Sequence, residues 1–294
     1  ALKFPRRENN NLKTVSSVGE YLFESKNLIN CFEVTKGEDS KYLFSNKFTK
    51  DSYDLTGFGY WSELLLECVA CGDSQRIIGS YAVDGKSHNI EYSFALTGCE
   101  YCLGCDGLKH AKHSILNKQY GEEEYKNLKE KITSELRQQG LYGLFMPPSV
   151  APFGYNETIG QDNMPLSREE AIAQGFRWED DIPRTKGKET LQTEDIPDHL
   201  NDVSDSIVSE ILKCINCGYN YKIIPAELRF YRQMILPVPR QCFWCRHRDR
   251  LNRRGPFKLY FRECDSCHKS IKTTYAPERP EIIYCEECYQ QEVV

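Results

Sequence analysis

Thirteen of the fourteen cysteines stand three residues from another cysteine; only Cys31 is alone. Four C-x-x-C pairs, Cys214/Cys217, Cys242/Cys245, Cys264/Cys267 and Cys285/Cys288, crowd the last third of the chain. A tight C-x-x-C turn points two thiolates at one ion, and two such turns supply the tetrahedron that Zn²⁺ takes in structural sites. The spacing predicts two Zn²⁺ ions in the tail. Sequential pairing, first pair with second and third with fourth, is the simplest assignment; cross-bracing, first with third and second with fourth, is the rival. The 17 residues between Cys267 and Cys285 fit a zinc ribbon, with Ile271 to Tyr275 and Ile282 to Tyr284 expected as its hairpin. The 24 residues between Cys217 and Cys242 hold a helix opened by Pro225 at its first position.

Disulfide frameworks belong to short secreted chains, so these thiols read as metal ligands in a reducing compartment. Cys264-Asp265-Ser266-Cys267-His268 also spells a c-type haem attachment motif. Haem leaves Cys285 and Cys288 unexplained and is set aside; an iron–sulfur cluster is another use of four thiolates. Cys68, Cys71, Cys99 and Cys102 offer a third candidate metal site, with Cys105, His110 and His113 nearby. The favoured reading of these N-terminal cysteines is nevertheless small core residues of a repeat.

Between the second and third pairs lies the most basic stretch, with Arg240, Arg246, Arg248, Arg250, Arg253, Arg254, Lys258 and Arg262 against one acid, Asp249. Phe243, Trp244, Phe257, Tyr260 and Phe261 interleave them. Guanidinium forks bind phosphates and aromatic faces stack on unpaired bases. The competing readings are intramolecular pairing with acids elsewhere in the chain and an acidic protein partner. No phosphate-binding glycine loop, nucleophile elbow or H-E-x-x-H helix occurs. His247 and Asp249 suggest a nuclease only weakly, so no enzyme is expected and no catalytic residue is assigned.

The elements that must carry these residues follow from pattern. Residues 1–30 are polar, with loop signals at Asn9-Asn10-Asn11 and Ser16-Ser17, and read as an arm. Residues 31–140 read as a β-repeat unit plus a packing helix. Centres at Leu43, Tyr53, Leu65, Ile77, Ile90, Tyr101 and His113 recur every 10 to 13 residues. That spacing fits a solenoid with two strands per coil or an up-and-down meander. Asp84-Gly85 favours the meander locally as a type I′ hairpin turn. The seven centres are expected to be buried. A helix over 120–139 carries Glu122, Glu123 and Glu124 in its first turn, an apolar stripe at Leu128, Ile132 and Leu136, and Gly140 as its stop.

Residues 141–204 read as an ordered loop or lid, a short helix after the Ser167-x-x-Glu170 capping box, and an acidic linker over 179–204. Residues 205–294 read as the zinc module with both four-cysteine sites, entered by a helix from Ser204 to Lys213. The expected fold class is thus α+β and multi-part: a β-repeat (solenoid or meander) N-terminal unit, connecting helices and a C-terminal double zinc-ribbon-like module.

Charge supports a division of labour. From Cys214 onward, 14 basic residues face 9 acidic ones, net +5, which leaves −10 on the rest of a chain of net −5. Apolar residues make up 40%, enough for several modest cores rather than one large one. No apolar run approaches the roughly 18–20 residues that span a bilayer, and no apolar stretch follows Arg6-Arg7 as a secretory signal requires. No membrane association and a cytoplasmic location are expected.

Several stretches together resemble a known group of chains. They are Asp51-Ser52-Tyr53-Asp54 with Ser62-Glu63-Leu64; Cys102-Leu103-Gly104-Cys105 followed by Ile115 to Tyr120; Phe153-Gly154-Tyr155-Asn156-Glu157-Thr158; and Tyr275 to Ile282 with Tyr284-Cys285-Glu286-Glu287-Cys288-Tyr289. Over residues 31–290 the chain resembles zinc-ribbon-bearing proteins of candidate-phylum bacterial and environmental genomes, a group without an established activity. Cys264 to Tyr289 also looks like a small zinc ribbon or treble clef. The resemblance implies metal at Cys264, Cys267, Cys285 and Cys288, and one shared architecture rather than an accidental fusion. The expected function is a zinc-stabilised, non-enzymatic nucleic-acid-binding protein, RNA or single strands before duplex. The alternative is a structural or protein–protein interaction component in which zinc only holds the tail folded.

Overall fold

The computed structural model describes residues 3–254 and 256–293. From Val18 to Ile115 the chain winds as a parallel β-solenoid of about 8 turns. Successive coils stack in register 12 or 13 residues apart, as in Leu28↔Ser40, Leu43↔Leu55, Leu55↔Cys68, Leu65↔Ile77, Ile77↔Ile90 and Ile90↔Cys102. Every third side chain points inward: Leu28, Cys31, Val34, then Ser40, Leu43, Asn46, all at most 1% exposed. The residue before each inward position often takes a left-handed conformation, as at Asn27 (φ +55°), Asn30 (+52°), Tyr42 (+56°) and Trp61 (+56°). For an L-residue that conformation costs roughly 1–2 kcal/mol, which hydrogen bonding and burial between coils must outweigh.

The inward serines and cysteines show how a polar core is tolerated. Ser93 Oγ donates to the Glu91 carbonyl at 2.9 Å and accepts from the Cys105 amide of the next coil at 3.0 Å. Cys105 Sγ repeats the pattern, donating to the Leu103 carbonyl and accepting from the Asn117 amide. A small side chain with one donor and one acceptor therefore bridges its own coil to the next, and its burial leaves neither group unpaired. Burial pushes the Cys31 thiol up to about 11, keeping it a neutral donor.

This architecture settles solenoid against meander and corrects its details. Each coil turns four corners, of three residues each except for one of four in the 13-residue coils, as from Val83 to Ser87, so alternation with two strands per coil is replaced by a period of three. Asp84-Gly85 is not a hairpin turn: Tyr81–Asp84 pairs in parallel with Phe94–Thr97, and Ser87–Glu91 with Ser74–Ile78. Leu43, Leu65, Ile77 and Ile90 are buried as expected, but Tyr53 and Tyr101 face outward and His113 is half-buried. They occupy outward rungs, which a spacing of about 12 cannot tell from inward ones. Val18–Phe23, inside the expected arm, is already the first solenoid strand.

Helix α1 (Glu122–Gln138) covers the far end of the solenoid. Its Tyr125 is buried against Leu103 and Ile115, and Leu128 and Ile132 pack partly buried beside them. The following loop is tied down: the Gly143 amide donates to Tyr92 Oη at 2.7 Å.

The chain forms two compact units, Ala1–Val150 with Phe257–Val294, and Ala151–Pro256. That division crosses the 205–294 module read from sequence and puts one four-cysteine cluster in each unit. In the second unit, short helices α2 (Ile159–Asn163) and α3 (Arg168–Ala173) precede a core of Ile196, Val203, Ile207, Leu212, Ile223, Leu228, Tyr231 and Val238. The capping box at Ser167/Glu170 opens α3. The stretch read as a linker supplies Ile196 and Val203 to that core, and the helix expected from Ser204 to Lys213 is a single turn, Asp205–Val208, followed by the strand Leu212–Lys213. Helix α4 (Pro225–Met234) begins at Pro225 as expected, and α5 (Phe243–Arg254) follows.

In the first unit the returning segment carries a hairpin of Tyr260–Glu263 with Ser270–Thr273, and α6 (Glu286–Glu292). The hairpin expected between Ile271–Tyr275 and Ile282–Tyr284 is not formed. Ile283–Tyr284 pairs instead, in parallel, with Arg6–Arg7. Phe257 packs on the solenoid, 4.3 Å from the Phe44 ring and 5.4 Å from Phe32.

Candidate metal centres and basic surface

The four sulfurs of Cys214, Cys217, Cys242 and Cys245 lie within 4.8 Å of one another, as do those of Cys264, Cys267, Cys285 and Cys288. The pairing is sequential, and each cluster is built the same way. The first pair sits on a knuckle closing a two-stranded ribbon, Leu212–Lys213 with Asn220–Tyr221 in one cluster and Tyr260–Glu263 with Ser270–Thr273 in the other. Gly218 (φ +69°) and His268 (φ +60°) make the left-handed turn after the knuckle, and their amides donate to the carbonyls of Cys214 and Cys264. The second pair lies at the start of α5 in one cluster and of α6 in the other.

The sulfur geometry fits a tetrahedral ion. Sulfur–sulfur distances are 3.7 Å for Cys214–Cys245 and Cys217–Cys242, and 3.8 Å for Cys267–Cys285. A tetrahedron with metal–sulfur bonds of about 2.3 Å has edges of about 3.8 Å; a disulfide is far shorter. The Cys242 amide donates to Cys214 Sγ at 3.3 Å and the Cys285 amide to Cys264 Sγ at 3.2 Å. Burial raises the Cys214 thiol, but amides of Cys242, Cys217 and Asn216 together outweigh it and bring it down to about 6. Cys264 is brought to about 6 in the same way, by amides of Cys267, Cys285 and Ser266 against burial. One thiol per cluster is thus poised as a thiolate, the form that binds metal.

Cys68, Cys71, Cys99 and Cys102 are not brought together. Cys68 and Cys71 share one coil, while Cys99, Cys102 and Cys105 occupy successive inward corners of another. Stacking through Val69↔Tyr81↔Phe94↔Asp106 puts Cys105 three coils beyond Cys68, about 14 Å at the usual strand spacing. Among the described residues only the two tail clusters group three or more ligand atoms. The solenoid cysteines belong to its buried core.

The basic stretch divides by role. Arg240 donates to the Thr193 and Ile196 carbonyls and pairs with Asp198 at 2.9 Å. Arg246 bridges Glu227 and Tyr231. Arg262 donates to the Ala276 and Glu281 carbonyls. These three are anchors. Arg254 donates to Asn163 Oδ1 at 2.6 Å, and Lys258 lies over the Tyr260 ring. Arg248, Arg250 and Arg253 are exposed on α5, with no ion pair among the described residues. His247 Nε2 meets Asp162 Oδ2 at 2.9 Å and its ring stacks on Phe243, while Asp249 accepts from Gln241. His247 and Asp249 thus take different partners.

Sequence reasoning missed two cations on this surface. Arg184 lies over Tyr219 at 5.4 Å and over Trp244 at 5.5 Å, and Lys186 over Tyr219 at 4.3 Å. Both come from the stretch read as an acidic linker, and only folding carries them to the knuckle. Phe243 and Trp244 stay about half exposed beside them, at 53% and 51%.

Fold and site together define a parallel β-solenoid protein bearing two zinc-ribbon-like clusters of four cysteines each. No protein-family model, curated protein or solved structure matches this chain. No helix among the described residues is long and apolar enough to cross a membrane.

Proposed function

We propose that the chain is a non-enzymatic, zinc-stabilised protein of the cytoplasm that binds nucleic acid, single strands or RNA before duplex. Four thiolates at tetrahedral spacing suit Zn²⁺ in a structural role. The observation that carries the binding reading is the surface on α5 beside the first cluster. Arg248, Arg250 and Arg253 are exposed without ion pairs among the described residues, next to Phe243 and Trp244 and the cations Arg184 and Lys186. Cations spaced along an aromatic surface suit a phosphate chain with unpaired bases. The anchoring of Arg240, Arg246 and Arg262 within the chain favours a second reading, a structural or protein–protein interaction component in which zinc only holds the tail folded.

Salt dependence separates them. Converting Arg248, Arg250 and Arg253 together to Ala is expected to flatten the log K against log salt slope for a single-stranded oligonucleotide by about 2, since each phosphate contact contributes about 0.7. Metal content and melting temperature should stay unchanged, because these side chains make no ion pair among the described residues. Absence of binding by the fully metallated chain to single-stranded RNA and DNA at low salt would replace this function with the interaction reading. Arg246→Ala makes the contrast: Glu227 keeps the Tyr231 hydroxyl but loses its guanidinium partner, which should destabilise the second unit by about 1–3 kcal/mol in denaturant unfolding.

A further inference from the structure

One outward column of the solenoid runs Lys36, Phe48, Trp61, Asp73, Lys86 through successive coils. The Lys36 ammonium lies 5.3 Å from the Phe48 ring centre, and Phe48 stacks on Trp61 at 4.4 Å with planes 11° apart. The stack stops at Trp61, because the next coil carries only Gly72 and Asp73 there. A hollow of 610 Å³ opens beyond it, lined by Trp61, Lys50, Glu63, Asp73, Gln75 and Lys86 among others. Trp61 is 64% exposed although Phe48 stacks on it. Gln75 Nε2 donates to Glu63 Oε2 at 3.3 Å, which sets an amide and a carboxylate side by side on the floor.

The chemistry of this hollow is specific in kind. An indole wall takes a flat apolar face, and a floor of carboxylate, amide and ammonium takes alternating donors and acceptors around its rim. Lys50 and Lys86 balance Glu63 and Asp73, so no net charge attracts a phosphodiester chain, whose binding rests on cations. A neutral pyranose has both properties: a C–H face that stacks and hydroxyls that donate and accept. We propose that this hollow binds a hexopyranose unit of a neutral glycan, stacked on Trp61 and held through its hydroxyls by Glu63, Asp73 and Gln75. The site is independent of the clusters and of the α5 surface.

The test follows the Trp61 indole N–H in the ¹⁵N-labelled full chain, assigned with Trp61→Phe. The probes are neutral hexasaccharides of glucose, mannose, galactose and N-acetylglucosamine, and an oligothymidylate at low salt. At least one hexasaccharide is expected to shift the Trp61 signal but not those of Trp178 and Trp244. Trp61→Ala and Gln75→Ala should each weaken that binding by about tenfold or more, with the β signal in circular dichroism retained because both side chains are exposed, although Trp61→Ala also gives up the stack on Phe48. The proposal fails if no hexasaccharide shifts the signal at millimolar concentration or if Trp61→Ala binds as well as the parent chain. It fails equally if the oligothymidylate alone shifts Trp61, which would assign the hollow to nucleic acid.

Discussion

Stripping the metal with a strong chelator should release two Zn²⁺ per chain and unfold the two clusters to different extents. Structural zinc couples to folding with apparent energies of about 10–16 kcal/mol in small peptides, and what remains without it differs between the sites. Around the second cluster the buried apolar residues are Ile271 and Ile283 besides the cysteines themselves. That is too little surface to offset chain entropy over about thirty residues. Hydrogen-exchange protection from 260 to 292 should therefore collapse, and with it the pairing of Arg6–Arg7 to Ile283–Tyr284. Around the first cluster, the core of Ile196, Ile207, Leu212, Ile223, Leu228 and Val238 is independent of metal. Loss there should be confined to the knuckle and α5. Elemental analysis showing no zinc, or a stripped chain with unchanged protection over 260–292, would defeat the assignment.

Ile77→Asp should break the solenoid. Ile77 is fully buried between Leu65 and Ile90 in the inward column. Ile77→Ala should cost about 2–5 kcal/mol through lost burial and a residual cavity. The aspartate adds an unpaired charge in that interior, worth several kcal/mol more. Because each coil contacts only its neighbours, the break should spread from the middle, seen as loss of the β signal in circular dichroism. Cys105→Ser is the control. Serine already fills the equivalent corner one coil earlier, at Ser93, with the same bonds to its own coil and the next. It should cost less than about 1 kcal/mol and leave the zinc count at two. A third equivalent of metal lost on this change would restore a metal role for the solenoid cysteines, and an Ile77→Asp chain that melts normally would discredit the inward assignment.

What the sequence determined by itself is local. A C-x-x-C knuckle is a property of four consecutive residues, so the tail ligands were legible, as were the capping box at Ser167, the start of α4 at Pro225, and α1 with its apolar stripe. The repeat spacing near 12 was legible too, because coil length is written into the recurrence of Leu65, Ile77 and Ile90. Tertiary structure decided the rest. Left-handed backbone at residues such as Tyr42 and Trp61 runs against their own preference and is held only because coils on both sides pair with it, so neither the period of three nor the outward place of Tyr53 could be read locally. Tyr284 finds its strand partner in Arg7, at the other end of the chain, and no propensity encodes such a pairing. Eight cations look alike in a basic segment. Which become anchors, as Arg240, Arg246 and Arg262 do, and which stay free, as Arg248, Arg250 and Arg253 do among the described residues, depends on the carbonyls and carboxylates that folding brings beside them.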